Sequence, residues 1–147
     1  MQLESYKDLV RRYYEALWNC WDFALADELI AESIVFRGSL GISVQGREGF
    51  KEYMRGVRRA FPDFHNRIEE LIAENERVAA RLTYTGTHQG ELFDIAATGR
   101  RVSYAGVAIF RIAEGCIVEG WVLGDIHGLV RQLRDLPTWD YNRSTEF

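Results

Sequence analysis

Four segments after Pro62 alternate between apolar and polar residues, and this alternation limits the folds open to the chain more than any other feature. A period of two residues is typical of strands that bury one face and expose the other. Short connections separate the segments, so we predict four consecutive strands in an antiparallel sheet. The predicted strands are "FHNRIEELIAE", "RVAARLTYTGTH", "RRVSYAGVAIFRI" and "CIVEGWVLGD".

The chain before Pro62 follows a helical period instead. Ser5 with Asp8 resembles the capping box that starts a helix, and Asp22 is a suitable cap for a second helix. A third helix ends against Pro62, because proline cannot continue it. The predicted helices are "YKDLVRRYYEALW", "FALADELIA" and "REGFKEYMRGVRRAF", and "IVFRG" is predicted as a short strand between the last two.

A chain in which helices come first and an antiparallel sheet follows is typical of an α+β domain, in which the sheet folds over the helices. Glycines in or beside the strands permit bends, so we predict a strongly curved sheet that encloses a hydrophobic pocket. We expect a single domain over 1–136, because a chain of 147 residues fits one hydrophobic core. The polar segment 137–147 is predicted as a tail after a last helix, "IHGLVRQLRDL".

Composition and charge exclude several classes of protein. With 47% hydrophobic and 13% aromatic residues, the chain is too apolar for a disordered protein, and its apolar runs are too short to span a bilayer. A net charge of -4 argues against nucleic-acid binding, and we interpret the cluster of Arg55, Arg58 and Arg59 as a solvated helix face. The first residues form no apolar signal segment, and Cys20 and Cys116 do not suggest a disulfide framework. We therefore expect a cytoplasmic protein without a membrane partner.

The alternation also predicts which side chains face the pocket. In the second and third predicted strands the even-numbered residues are the apolar set, and we expect them to point inward. The period of the fourth strand is ambiguous, because Val118 and Val122 compete with Ile117, Trp121 and Leu123 for the inner face. Packing in the core is the alternative role for aromatic residues in such positions. The candidate pocket residues are Trp18, Tyr84, Tyr104, Ala108, Phe110 and Trp121.

Asp125 stands between the fourth strand and the last helix, and two interpretations of its carboxylate are open. Beside an apolar hollow, a carboxylate becomes a stronger base and is suited to proton transfer. As the cap of the last helix, it would instead accept hydrogen bonds from the first helix amides. His88, on the inner face of the second strand, is a candidate proton shuttle or substrate-orienting group, or else a hydrogen-bonded core residue.

Other chemistries leave little trace in the sequence. The three histidines, His65, His88 and His127, lack paired metal-ligand spacing, so we predict no metal. The chain contains no G-x-S-x-G nucleophile turn and no glycine-rich phosphate loop between a strand and a helix. We therefore predict a protein that uses no cofactor.

The stretches "HQGELFDIAATGRRV", "FRIAEGCIVEGW" and "DIHGLVRQL" carry a family resemblance. They resemble the SnoaL-like polyketide cyclase family of the NTF2-like superfamily, and the similarity extends from the first helix to Leu133. The resemblance implies an NTF2-like cone-shaped α+β barrel with a hydrophobic pocket, commonly assembled as a homodimer or a larger oligomer. It also implies that an aspartate before the last helix acts as acid and base, without a metal, in the aldol ring closure of a polyketide ester. Asp125 matches that aspartate and His88 matches a pocket histidine, whereas Ala108 and Gly120 stand where the family has histidines.

We therefore expect a cofactor-independent enzyme, with Asp125 and His88 as catalytic residues, that acts on a small hydrophobic carbonyl compound. The expected chemistry is aldol cyclisation, isomerisation or a related proton transfer, with Asp125 facing the pocket. A dehydratase or an epoxide hydrolase on the same fold is one alternative. A non-catalytic module that binds a small molecule or dimerises is another, and it fits the absence of histidine at 108 and 120. We also expect a homodimer through the outer sheet face, where "RLTYTGT" carries threonines and an arginine.

Overall fold

A curved sheet of six strands packs against helices from the first half of the chain in the computed structural model, which describes residues 2–137. The predicted polar tail lies outside the described residues, apart from Pro137. The helices are α1 (Gln2–Arg12), which continues as a π-helical segment (Tyr13–Trp18), α2 (Ala26–Leu29), α3 (Arg47–Ala60) and α4 (Ile126–Leu133). The strands are β1 (Ile30–Arg37), β2 (Ser43–Gln45), β3 (His65–Glu74), β4 (Arg77–Thr87), β5 (Arg101–Ala113) and β6 (Cys116–Gly124).

The four predicted strands are confirmed as β3 to β6, which pair with one another in an antiparallel manner. The complete sheet has the order β2-β1-β6-β5-β4-β3, and β1 runs parallel to β6. The expectation of a purely antiparallel sheet is therefore wrong in this respect: the sheet is mixed, curved and open at β2 and β3. No helix within residues 2–137 has the length and apolar character needed to cross a membrane.

The helical predictions are correct for α3 and less accurate nearer the start of the chain. Helix α1 begins at Gln2, so Ser5 lies inside the helix and does not cap it. Asp22 does act as a cap, because its side chain accepts a hydrogen bond from the Leu25 amide, but it caps a short 3-10 turn that precedes α2. The second helix is also shorter than predicted, since Ile30 already belongs to β1.

The predicted inner faces of β4 and β5 are confirmed, since their even-numbered large side chains are buried. The ambiguity in β6 has a structural cause. Arg111 pairs with Glu119 while Ile112 pairs with Ile117, which makes Val118 an extra residue in a β-bulge. The bulge shifts the alternation, and Trp121 therefore points outward.

Aromatic rings on the inner side lie directly over glycines of the sheet. A Cβ atom at Gly106 would lie 2.4 Å from the Tyr84 ring, and one at Gly120 would lie 2.8 Å from the Phe36 ring. Both distances are shorter than real Cβ contacts, so these rings occupy the space that larger residues would need. The missing side chains thus let the concave face fill with aromatic residues.

Helix α4 takes the place beside β5 that β6 leaves when it ends at Gly124. The Asp125 amide donates to the Ala105 carbonyl at 2.9 Å, which extends the pairing by one hydrogen bond. Further along α4, the Gln132 side-chain amide accepts from the Ser103 N–H at 2.9 Å and donates to the Ser103 carbonyl at 2.8 Å. Buried Leu129 anchors the same helix to the core. These contacts determine where Asp125 lies.

Candidate functional site

The concave interior contains a cavity of only about 20 Å³. A single water molecule needs roughly 10–15 Å³ when volume is measured this way, so the cavity holds about one water. The expected hydrophobic pocket is therefore present in the right place but is almost completely filled. The cavity is lined by Tyr13, Tyr14, Trp18, Phe36, Ser39, Tyr53, Val57, Phe64, Asn66, Tyr84 and Val122.

Only two of the predicted pocket residues, Trp18 and Tyr84, line this cavity. Ala108 and Phe110 are fully buried in the packed core, where the Phe110 ring lies 5.0 Å from the Tyr13 ring. They do not line the cavity, and the Tyr13 and Tyr14 rings pack against Phe110 instead.

The position of Gly120 shows why the family's histidine could not act there in this chain. The Phe36 ring occupies the space above Gly120, and Phe110 lies 3.4 Å from a Cβ placed at the same position. An imidazole at 120 would overlap these rings. Gly120 therefore leaves the space that the Phe36 ring fills in this chain.

Tyr104 packs against Tyr84 with ring centroids 4.9 Å apart, and its hydroxyl lies 3.4 Å from the Ser39 hydroxyl. Burial raises the pKa of both tyrosine hydroxyls above their usual value. The two phenols therefore stay protonated at neutral pH and can serve as hydrogen-bond donors but not as bases.

A much larger hollow, of about 670 Å³, lies on the outer side of the sheet between α4 and strands β4 and β5. We call it the α4 groove. Its volume is in the range typical of small-molecule sites. Thr83, Ser103 and Ala105 belong to the outward-facing sets of their strands, which places the groove outside the concave interior. The groove is lined by Thr83, Ser103, Tyr104, Ala105, Asp125, His127, Gly128, Arg131, Gln132 and Pro137.

Asp125 lies in the wall of the α4 groove and not in the apolar interior, so the expectation that it faces the interior pocket is wrong. Its Oδ1 accepts a hydrogen bond of 2.9 Å from the Gly128 amide, which is the helix-cap arrangement, and the residue is exposed. Gly128 is needed for this position: a Cβ there would lie 2.3 Å from Oδ2 of Asp125.

His88 is fully buried and lines neither hollow. Its Nδ1 accepts from the Thr98 amide at 3.2 Å, while its own amide donates to the Arg100 carbonyl at 2.8 Å. Burial lowers the pKa of His88 below its usual value, which favours the neutral ring. The side chain therefore holds the β4–β5 connection in place.

The structure does not bring the two predicted catalytic residues together. Asp125 is bonded to Ala105, which pairs with Thr83 on β4. His88 follows Thr83 by five residues, which is a distance of about 16 Å along an extended strand. A direct proton exchange between Asp125 and His88 is excluded by this separation.

Trp121 was predicted in the pocket and instead lies on the outer face, where Arg37 stacks over its ring at 5.6 Å. Two residues of the α4 groove, His127 and Arg131, were not singled out as site residues. They are four residues apart on the predicted last helix, so they share a helix face next to Asp125, and that spacing is the signal in the sequence. Within residues 2–137, no cluster of three or more His, Cys, Asp or Glu side chains is arranged to hold a metal.

A curved, open sheet over N-terminal helices, followed by a C-terminal helix that starts at an aspartate, is an α+β fold of the NTF2-like class. The sequence profile of the SnoaL-like polyketide cyclases matches residues 8–133, and the chain belongs to this family.

Two relatives are the aklanonic acid methyl ester cyclases DauD of Streptomyces sp. (strain C5) and DnrD of Streptomyces peucetius. Each is 32% identical over 130 residues, which is 86% of this chain and 80% and 88% of the respective relative. A similar solved structure is that of AclR from Streptomyces galilaeus, a protein assigned provisionally as a hydroxylase. It is 31% identical, with a TM-score of 0.78 over 97% of this chain and 88% of AclR.

Proposed function

We propose that this protein is a cofactor-independent acid/base enzyme that acts on a small polyketide-type carbonyl compound in the α4 groove. Asp125 is the base. The observation that carries the proposal is the position of this carboxylate, which matches the family's aspartate and lines a groove of about 670 Å³. The interior cavity of about 20 Å³ has no room for such a compound. The names of the two cyclase relatives support a methyl ester of an acid such as aklanonic acid as the substrate.

The two oxygens of the Asp125 carboxylate have different roles, one structural and one chemical. Oδ1 holds the Gly128 amide, and within residues 2–137 Oδ2 accepts no hydrogen bond. Oδ2 takes a proton from a carbon beside a carbonyl, which leaves an enolate. The enolate carbon attacks a second carbonyl of the same molecule, a carbon–carbon bond forms, and the alkoxide recovers the proton from Asp125. His127 and Arg131 line the same groove, which supports a role for them as hydrogen-bond donors to the developing oxyanion.

Two measurements on aklanonic acid methyl ester test the proposal: uptake of solvent deuterium at a carbon beside a carbonyl group, and the mass of the product. We expect deuterium uptake in D2O and, in ordinary water, a product with the same mass as the substrate. Removal of a general base costs about 10²- to 10⁴-fold, so Asp125→Asn should lose most of the rate. The matched control is Asp22→Asn, which makes the same change at the other aspartate cap. Full turnover in Asp125→Asn would disprove the assignment, and a product heavier by one oxygen atom would indicate the reaction class named for AclR.

A binding protein without catalysis is the second candidate. The water-exposed, amide-bonded carboxylate of Asp125 and the filled space at Gly120 favour it, because both reduce the chemistry open to the site. Under this alternative, the ester binds to the wild-type protein and is recovered without deuterium uptake or ring closure. The same experiment therefore separates the two functions.

A further inference from the structure

Three arginines on the exposed face of α3 take no part in the α4 groove. Arg55, Arg58 and Arg59 stand at helix positions i, i+3 and i+4, so they share one face, and all three are exposed. The sequence predicts only a solvated face here. In the structure, the Arg58 guanidinium lies 5.5 Å from the centre of the Trp21 ring and 6.0 Å from that of Phe23, and the Arg55 guanidinium lies 5.5 Å from the centre of the Phe23 ring. Stacking on aromatic rings holds these guanidinium groups in place before a ligand arrives.

The two rings beneath the arginines are themselves fixed. The Trp21 indole Nε1 donates a hydrogen bond of 3.0 Å to the Pro62 carbonyl, and the Trp21 and Phe23 rings stack with centroids 6.4 Å apart. The backbone of Trp21 has a φ of 52°, in the left-handed region that a bulky side chain adopts only at a cost in free energy. Backbone strain of this kind is concentrated at binding and catalytic sites. The position of Trp21 therefore favours a binding function in addition to packing.

A hollow of about 440 Å³ lies beside the stacked arginines. We call it the α3 hollow. It shares no lining residue with the α4 groove, and its volume is sufficient for a small molecule. Its lining has an apolar part, Phe23 and Pro62, and a cationic part that consists of the three arginines. A matching ligand has an anionic group joined to an apolar body.

The charges at the α3 hollow favour a dianion. Within residues 2–137, Glu52 is the only carboxylate in an ion pair with the three arginines, and it lies 3.2 Å from Arg55 and 3.5 Å from Arg59. Three guanidinium groups and one carboxylate leave two positive charges, in a chain whose net charge is -4. A phosphate monoester carries a charge of about -1.5 to -2 at pH 7, and guanidinium groups bind phosphate oxygens in pairs. A phosphate group therefore matches this cluster better than a singly charged carboxylate does.

Two other carboxylates are close to the hollow in sequence, and both are held by other groups. Asp22, next to the stacked rings, accepts a hydrogen bond of 3.3 Å from the Leu25 amide. Asp63 accepts hydrogen bonds from the Thr87 amide and hydroxyl, at 2.6 and 2.7 Å, and forms an ion pair with Arg101. Neither carboxylate forms an ion pair with the arginines of the hollow. The guanidinium groups thus keep hydrogen-bond donors for a ligand.

We propose that the α3 hollow is a binding site for a small phosphate monoester. The phosphate accepts hydrogen bonds from the three guanidinium groups, and the apolar body of the ester packs against Phe23 and Pro62. Asp125 takes no part in this binding, so the proposal is independent of the reaction in the α4 groove.

Phenyl phosphate is the probe, because it joins a phosphate to one flat apolar ring. Isothermal titration calorimetry on the full chain measures its affinity, with inorganic phosphate and benzoate as comparison ligands. We expect one site that binds phenyl phosphate about 2- to 10-fold more tightly than inorganic phosphate, because the ring packs against Phe23. Benzoate has the same ring with a smaller charge and should bind more weakly than phenyl phosphate. In an NMR titration of the wild-type protein, the amide shifts should be concentrated in α3 and at Trp21 and Phe23.

Substitution of Arg58 tests the site directly. Arg58→Gln should weaken the binding of phenyl phosphate at least about tenfold, since hydrogen bonds to a charged group are lost. The matched control is Arg12→Gln, which removes the same charge from an exposed arginine of α1, outside the hollow, and should bind as the wild type does. Asp125→Asn should also keep full affinity, so failure of the proposed function and failure of this proposal are measured separately.

Three results would overturn the proposal. The first is the absence of saturable binding of phenyl phosphate to the wild-type protein. The second is an equal affinity in Arg58→Gln and the wild type. The third is a loss of binding in Arg131→Gln that Arg58→Gln does not show, which would place the phosphate in the α4 groove, where Arg131 is the lining arginine.

Discussion

Replacement of Gly128 by alanine should separate the structural and chemical roles of Asp125. The new Cβ would lie 2.3 Å from Oδ2, and ordinary contact begins at 3.4 Å, so the carboxylate must retreat by about 1 Å. The carboxylate is the end of a flexible side chain, and the helix backbone therefore need not move. A misplacement of this size can cost about 10²-fold in rate. We expect turnover in the deuterium-uptake assay to fall by about 10- to 100-fold.

The stability of Gly128→Ala should change little, because two effects oppose each other. Alanine is favoured over glycine in a helix by about 1 kcal/mol, whereas a weakened aspartate cap costs about 0.5–2 kcal/mol. The net change in the free energy of unfolding should lie within about 1 kcal/mol of zero, which corresponds to a shift in Tm of about 2 to 4 °C at most. Circular dichroism during thermal unfolding measures this shift.

Gly56→Ala is the matched control for this experiment. Gly56 also lies in a helix, α3, and a Cβ there would meet only the end of Arg59, at an ordinary 3.7 Å. This variant should gain up to about 1 kcal/mol and keep full turnover. Full turnover in Gly128→Ala, or an equal loss in both variants, would refute the argument that the position of the Asp125 carboxylate matters for the reaction.

Two further predictions concern the core. Burial lowers the pKa of His88 below 6.5, so the unfolded chain binds this proton first, and the free energy of unfolding should decrease as the pH falls below 6.5. Urea unfolding above and below that pH should show a smaller decrease in His88→Gln, whereas the exposed His65→Gln should behave as the wild type; an unchanged decrease in His88→Gln would contradict the assignment. Gly120→Ala should cost about 1–3 kcal/mol in urea unfolding, because the Phe36 ring lies 2.8 Å from the new Cβ. A second change, Phe36→Leu, should recover part of that loss, and no recovery would show that the ring is not the obstacle.

The long antiparallel strands could be predicted because each carries its own pattern. In β4 and β5, the alternation over more than ten residues determines both the strand and its buried face. Helix α3 could also be predicted from the sequence, since its apolar stripe and Pro62 lie within one segment. Local sequence is sufficient when the structural preference and the burial pattern agree over many residues.

The remaining parts depend on contacts that local patterns do not contain. Strand β2 has only three residues, and the parallel pairing of β1 with β6 joins segments more than eighty residues apart. The filled interior could not be predicted either, because it follows from Tyr84 and Phe36 lying over glycines on other strands. The sequence indicates both roles of Asp125, as a base and as a helix cap. It does not indicate whether the carboxylate faces the α4 groove or the interior, because that depends on where α4 packs.

The two hydrogen bonds between the Gln132 side chain and the Ser103 backbone have a consequence for solubility. An unpaired strand edge is a template for pairing with another chain, and it is a common origin of aggregation. Beyond the end of β6, the first residues of β5 have no strand on that side within residues 2–137, and the Gln132 amide satisfies both backbone groups of Ser103 as a neighbouring strand would. Helix α4 thus protects an edge from intermolecular pairing. Changes that loosen this helix would expose that edge in an otherwise folded protein.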